Sequence, residues 1–128
     1  MTLERRRVAV VEDHPDGRAL VEALLSGRYD VVAYANGPDA VCGCHAFPPD
    51  LVLLDLSLPG MSGHDVLAAL RADPGLANVP MVAFTADAGP DVRERLLAEG
   101  FDDHLPKPLV RIDDLRELVD RWLGVTSR

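Results

Sequence analysis

Five side chains of complementary chemistry stand where short apolar runs end. Val8-Ala9-Val10-Val11 stops at Glu12-Asp13, Leu51-Val52-Leu53-Leu54 at Asp55, and Pro80-Met81-Val82-Ala83-Phe84 at Thr85, while Lys107 follows Asp103-His104-Leu105-Pro106. A carboxylate directly after a buried run needs a partner, because an unpaired buried charge is expensive. If these run ends share one rim, three carboxylates meet there and raise one another's pKa unless a cation lies among them. A hard divalent cation with oxygen ligands answers that need. Mg²⁺ fits best, since it accepts a few carboxylates, keeps waters and adds a phosphate oxygen. Lys107 offers a point charge and Thr85 a hydroxyl, both suited to a phosphoryl group. Each residue also has a plainer reading: Asp13 as a helix cap, Glu12 as a solvated charge, Thr85 as a hydroxyl bonded to its own backbone, Lys107 as a surface ammonium. Their joint placement favours the site.

The groups gather only if the runs that carry them lie side by side and point the same way. Apolar runs without alternation read as strands buried on both faces, as in a parallel sheet. Helical stretches lie between them. Pro15, with Asp13 or His14 as cap, opens one that places Leu20, Val21, Leu24 and Leu25 on one face and closes at Gly27. Tyr29 to Tyr34 reads as a strand, Asn36-Gly37-Pro38 as a turn, and Asp39 to Ala46 as a weakly patterned helix stopped by Pro48-Pro49. Ser62 caps a helix carrying Val66, Leu67 and Leu70, ended by Asp73-Pro74-Gly75. Asp91 to Glu99 carries Val92, Leu96 and Leu97 on one side before Gly100. Ile112, Leu115, Val119 and Trp122 recur at helical spacing to about Leu123.

Five strands alternating with five helices predict one α/β domain, a doubly wound parallel sheet with right-handed crossovers. All strand C-termini then share the rim where such sheets place their chemistry. Pro106 belongs on an edge strand, where its missing N–H breaks no ladder, and a strand order 2-1-3-4-5 puts the fifth strand at an edge.

Composition narrows the function. The chain has 128 residues, about the size of one domain, and a net charge of −8, which argues against nucleic acid as a direct partner. No apolar run approaches the roughly 20 residues that span a bilayer. Arg5-Arg6-Arg7 leads straight into a strand, unlike a signal peptide, so the expected location is the cytoplasm and no membrane partner is expected. Cys42 and Cys44 read as two small residues on a helix, since no further ligand pair completes a metal site. Met1–Glu4 and Thr126–Arg128 read as loose ends.

Four segments, taken together and in order, resemble the receiver domain of two-component response regulators: Val10-Val11-Glu12-Asp13, Leu53 through Asp55 to Gly63, Phe84-Thr85-Ala86, and Gly100 through His104 to Lys107-Pro108. The resemblance covers essentially residues 1–128 as a single receiver domain. It implies a flavodoxin-like fold of order 2-1-3-4-5, with Asp55 as the phosphoacceptor that attacks a phosphohistidine. It implies Mg²⁺ held by Asp13, Asp55 and the backbone carbonyl of Ser57, with Glu12 acting through a metal-bound water. Thr85 and Lys107 would contact the phosphoryl oxygens, and the Lys107–Pro108 bond is usually cis in the family. The implied partners are a histidine kinase or histidine phosphotransfer protein and a downstream protein target, met on the face of the fourth helix, fifth strand and fifth helix. No output domain is expected after Arg128.

One position departs from the family pattern. Receivers usually carry Tyr or Phe three residues before the lysine, and here His104 stands there. It serves either as a tolerated planar ring or as a titratable group that hydrogen-bonds Thr85 in one state. Asp87 and Ser57 lie where receivers tune dephosphorylation, and His14, His45 and His64 read as solvated. The alternative function is an Asp-nucleophile phosphohydrolase, but such enzymes place a second Asp two residues after the first, where this chain has Ser57. A flavin carrier of the same architecture needs a hydroxyl-rich phosphate loop where Glu12-Asp13-His14-Pro15 stands.

Overall fold

Runs of valine and leucine build the sheet. The computed structural model describes residues 5–87, 89–107 and 111–124. Strands β1 (Arg7–Val11), β2 (Asp30–Tyr34), β3 (Leu51–Asp55), β4 (Met81–Thr85) and β5 (Asp103–Pro106) alternate with helices α1 (Pro15–Leu25), α2 (Gly37–Ala46), α3 (Gly63–Ala72), α4 (Val92–Ala98) and α5 (Ile112–Leu123). All pairings are parallel, in the order β2-β1-β3-β4-β5. This is the expected doubly wound fold, with β5 and Pro106 at an edge.

Successive strand residues point to opposite faces. Val8, Val10, Leu51, Leu53, Val82, Phe84 and Leu105 pack with Val21 and Leu25 of α1 and Leu115, Leu118 and Val119 of α5. Ala9, Val11, Val52, Leu54, Met81 and Ala83 pack with Ala40 and Cys44 of α2, Val66, Leu67 and Leu70 of α3, and Val92 and Leu96 of α4. Two apolar layers thus clamp the sheet and fix its register, so every strand reaches the same rim.

Several local expectations need correction. Asn36-Gly37-Pro38 is not a free turn: Asn36 is the N-cap of α2, its side chain accepting the Asp39 amide at 2.9 Å, and proline is tolerated where helix amides lack partners. Helix α1 ends at Leu25 with Ser26 as C-cap rather than at Gly27, and neither Asp13 nor His14 caps it through a side chain. Leu20 and Leu97 do not join the buried stripes; they are 44% and 42% exposed, because each neighbours a core residue around its helix. Trp122 is 37% exposed and donates its indole N–H to Asp103 at 2.8 Å. Ser62 does cap α3, in a reciprocal capping box with Asp65. The two expected loose ends, the Lys107–Pro108 bond and the Ile112 side chain lie outside the described residues.

One polar cluster ties the segment after α1 to the last helix. The hydroxyl of Tyr29, a fully buried side chain, and the guanidinium of Arg28 both donate to the carboxylate of Asp120 on α5. Burial, then the carboxylate beside it, pushes the Tyr29 phenol well above its ordinary range. Removing Asp120 strands a buried hydroxyl. Asp120→Ala is expected to lose about 2 kcal/mol in urea unfolding, and Tyr29→Phe about 1 kcal/mol, since it removes donor and obligation together; equal stability of Asp120→Ala and wild type would contradict this.

Candidate functional site

Three strands deliver carboxylates and hydroxyls to the rim, and backbone bonds fix each one. The Glu12 amide bonds the Tyr34 carbonyl at 3.0 Å, carrying β1 one residue beyond its last paired position. The Leu56 amide bonds the Phe84 carbonyl at 3.2 Å, and the Lys107 amide bonds the Thr85 carbonyl at 2.8 Å. Asp55 thus ends β3 between the ends of β1 and β4, and Lys107 leaves β5 beside Thr85. Gly63, at the start of α3, permits a close pass: a Cβ there would lie 2.7 Å from the Asp55 carbonyl oxygen and 2.7 Å from the Leu56 Cα.

Glu12 and Asp55 are buried, while Asp13 is exposed. One carboxylate oxygen from each of the three can be chosen so that all lie within 4.8 Å of one another. Lys107 closes the cluster. Its Nζ donates to Glu12 Oε2 at 2.9 Å and lies 3.0 Å from Asp55 Oδ2. Asp55 Oδ1 also accepts the Ser57 amide at 2.9 Å. The ammonium sits 5.2 Å from the centre of the Phe84 ring. Lys107 is the only lysine in the sequence, so this is a singular use of the residue type.

The charges are tuned by competition. Burial alone lowers the Lys107 pKa, but hydrogen bonds and charge from Glu12 and Asp55 outweigh it, and the ammonium titrates above the ordinary lysine value. At Glu12 burial is the largest influence; with the neighbouring Asp55 it prevails over Lys107 and holds the carboxyl above its ordinary value. An acidic cluster with one internal cation is still net negative. Its donors are all hard oxygens, which fits a divalent ion of the Mg²⁺ class rather than zinc.

Thr85 lies at the same rim, but its hydroxyl is engaged locally and accepts the Asp87 amide at 3.1 Å. Asp87 in turn accepts the Gly89 amide at 3.2 Å and pairs with Arg95 of α4 at 2.6 Å. The bond from Arg95, and then that from Gly89, holds the Asp87 carboxyl below the ordinary range. A chain of contacts thus runs from the rim to α4. His104 does not bond Thr85; its Nδ1 is buried and finds no partner among the described residues. Arg93, Asp103, Asp114, Glu117 and Arg121 line the cleft beside it.

Of the other singled-out residues, His14 lines the cavity with Glu12 and Lys107, while His45, His64, Cys42 and Cys44 stay outside the site. His14, His45 and His64 are exposed; His45 pairs with Asp73 at 2.6 Å and His64 with Glu99 at 3.2 Å. Cys42 and Cys44 are free thiols, and burial pushes Cys44 up to about 11. Arg18 is a participant that sequence reasoning missed: its Nη1 donates to the carbonyls of Glu12 and Asp13 at 2.9 and 3.0 Å. An arginine five residues along carries no motif that would announce this.

Comparison with known proteins agrees with the geometry. Residues 8–120 match the family model for the response regulator receiver domain. The chain is 37% identical over 120 residues to hybrid signal transduction histidine kinase D of Dictyostelium discoideum, covering 94% of this chain and 8% of that protein. It is 36% identical to the sensor protein GacS of Pseudomonas syringae over 126 residues, covering 95% and 14%. To the DNA-binding response regulator MtrA of Mycolicibacterium smegmatis it is 39% identical over 109 residues, covering 84% and 46%. The chain thus spans less than half the length of these relatives. Among solved structures, the receiver domain of the sensor histidine kinase PA1611 of Pseudomonas aeruginosa, described with a magnesium ion coordinated in its active site cleft, superposes with TM-score 0.84 at 32% identity, covering 94% of this chain and 99% of that one. The chemotaxis protein CheY4 of Vibrio cholerae shares the fold at TM-score 0.85 and 24% identity, covering 92% and 98%. With the family match running from β1 to α5 and the carboxylates gathered on one rim, the chain belongs to the receiver domains of two-component response regulators.

Proposed function

We propose that residues 1–128 form a single receiver domain in which Asp55 accepts a phosphoryl group from the phosphohistidine of a histidine kinase or histidine phosphotransfer protein. The observation that carries this reading is the placement of Lys107 Nζ 3.0 Å from Asp55 Oδ2, beside the oxygens of Glu12 and Asp13. A carboxylate oxygen of Asp55 attacks phosphorus as the P–N bond to the donor imidazole breaks, leaving an acyl phosphate on Asp55. Phosphoryl transfer depends chiefly on positioning and on neutralising oxygen charge. Lys107 supplies one such charge, and the Thr85 hydroxyl, whose own proton is not used by the bond it accepts from the Asp87 amide, supplies a donor. Asp13, Asp55 and the backbone carbonyl of Ser57 would hold Mg²⁺, with Glu12 acting through a bound water. Such an ion would supply positive charge for the phosphoryl oxygens.

The family is a signalling switch rather than an enzyme with an external substrate, and the chain is read as promoting only its own phosphorylation and dephosphorylation. The downstream target is a protein, met on the α4–β5–α5 face. The acidic charge of −8 supports a partner other than nucleic acid. No helix among the described residues is long and apolar enough to cross a membrane. A cytoplasmic location is part of the same proposal.

Incubation with Mg²⁺ and a small phosphodonor, followed by intact mass, is expected to show one added phosphoryl group in wild type and none in Asp55→Asn. Addition that persists in Asp55→Asn, or no addition in wild type, would overturn the assignment.

His104 is assigned to the switch. An imidazole nitrogen buried without a partner is costly, and a bond to Thr85 in the phosphorylated state would relieve it. Arg93 of α4, Asp103 of β5, and Asp114, Glu117 and Arg121 of α5 line a cleft together with His104. At fixed phosphorylation, the population of the active conformation is expected to change between about pH 6 and 8 in wild type and to stay level in His104→Phe. A level profile in both would leave the planar-ring reading.

A further inference from the structure

Gly17 sits in the first turns of α1, where glycine costs about 1 kcal/mol relative to alanine. Its backbone does not require glycine, since the positive-φ glycines are Gly60, Gly100 and Gly124. The space around it does. A Cβ built on Gly17 would lie 2.9 Å from Glu12 Cγ, 3.0 Å from Cδ and 3.2 Å from Oε1. The Glu12 side chain therefore lies across the bare face of the helix. From there Oε2 reaches Lys107 at 2.9 Å, and Oε1 accepts the His14 amide at 3.2 Å. Gly17, Glu12 and Lys107 also line one open cavity of about 420 Å³ with Leu20, Phe84 and Ala86.

We infer that Gly17 is a positioning residue for the phosphoryl-accepting site: its missing side chain gives Glu12 the room from which it engages Lys107 and faces the acidic cluster. The inference rests on the proposed function for its consequence, but the Gly17–Glu12 contact stands without it. A methyl group at position 17 moves Glu12 Cγ, which is flexible, rather than the backbone. Glu12 then leaves Lys107, and the cluster loses one member while the helix gains propensity. A purely structural role predicts the opposite pattern, a more stable protein with an unchanged site.

Two readouts separate these outcomes. The first needs no metal. Because Lys107 is the only lysine, ¹⁵N-lysine labelling gives one ammonium signal. Gly17→Ala is expected to shift that signal and speed its proton exchange as the bond to Glu12 is lost. An unchanged signal would overturn the inference, even if wild type also failed to take a phosphoryl group. The second is Mg²⁺ affinity by calorimetry, where supporting residues around a metal site are worth about tenfold or more. Gly17→Ala is expected to bind about tenfold more weakly than wild type. Wild-type affinity in Gly17→Ala would overturn the inference.

Discussion

Lys107 donates to Glu12 at 2.9 Å and lies 3.0 Å from Asp55, two carboxylates taken almost wholly out of water. That small triangle is the constraint on which the rest of the site depends. Two buried anions so close together repel, and each resists desolvation. A single ammonium between them makes the arrangement tolerable. It leaves the cluster net negative once the exposed Asp13 is included, so the rim retains an attraction for a further cation. It also puts a fixed positive charge beside the side chain assigned to accept a phosphoryl group.

The sheet exists, in functional terms, to hold that triangle. Glu12, Asp55 and Lys107 come from three different strand ends, and only parallel pairing brings such ends to one rim. The two apolar layers resist a slip in register, because a one-residue shift would exchange the side chains fitted to one layer with those fitted to the other. Rigidity on this side contrasts with the path leading away from it. Thr85 and Asp87 are joined by one amide bond, and Asp87 reaches α4 through a single partly exposed pair with Arg95. A rigid acceptor beside a lightly held connection suits a site whose chemical state must be sensed elsewhere.

Much of this was legible in the residues themselves. Unalternating runs such as Leu51–Leu54 admit few readings besides buried strands, and a carboxylate at their ends points to the rim. Asp55, Glu12, Asp13 and Lys107 were found this way, and the structure brings them together. What escaped were features set by three-dimensional proximity. Arg18 reaches the carbonyls of Glu12 and Asp13 with no spacing rule to announce it. Gly17 looks like an indifferent helix residue until the Glu12 side chain is placed across it. Asn36-Gly37-Pro38 carries turn chemistry that serves equally well to begin a helix, and the neighbouring core chose the helix. Trp122 shares the spacing of a buried stripe, yet its N–H found Asp103 near the surface. His104 stayed divided between two readings, since a sequence shows the ring but not whether its nitrogen has a partner.

Urea unfolding of wild type and Lys107→Met from about pH 5 to about pH 8 tests the central triangle most directly. In the folded protein Lys107 titrates above its ordinary value, so its contribution is fully present throughout this range and fades only as pH rises through that raised value. Glu12 is also raised, so the folded state holds that proton more tightly than the unfolded chain does, and its ionised form is the one burial disfavours. With the ammonium gone, the two buried carboxylates lose the cation they share, and because Glu12 is held above its ordinary value, its protonation relieves the strain as pH falls. The account predicts that Lys107→Met loses about 3 kcal/mol near pH 8 and markedly less near pH 5. Equal stabilities near pH 8, or a deficit that does not change with pH, would contradict it.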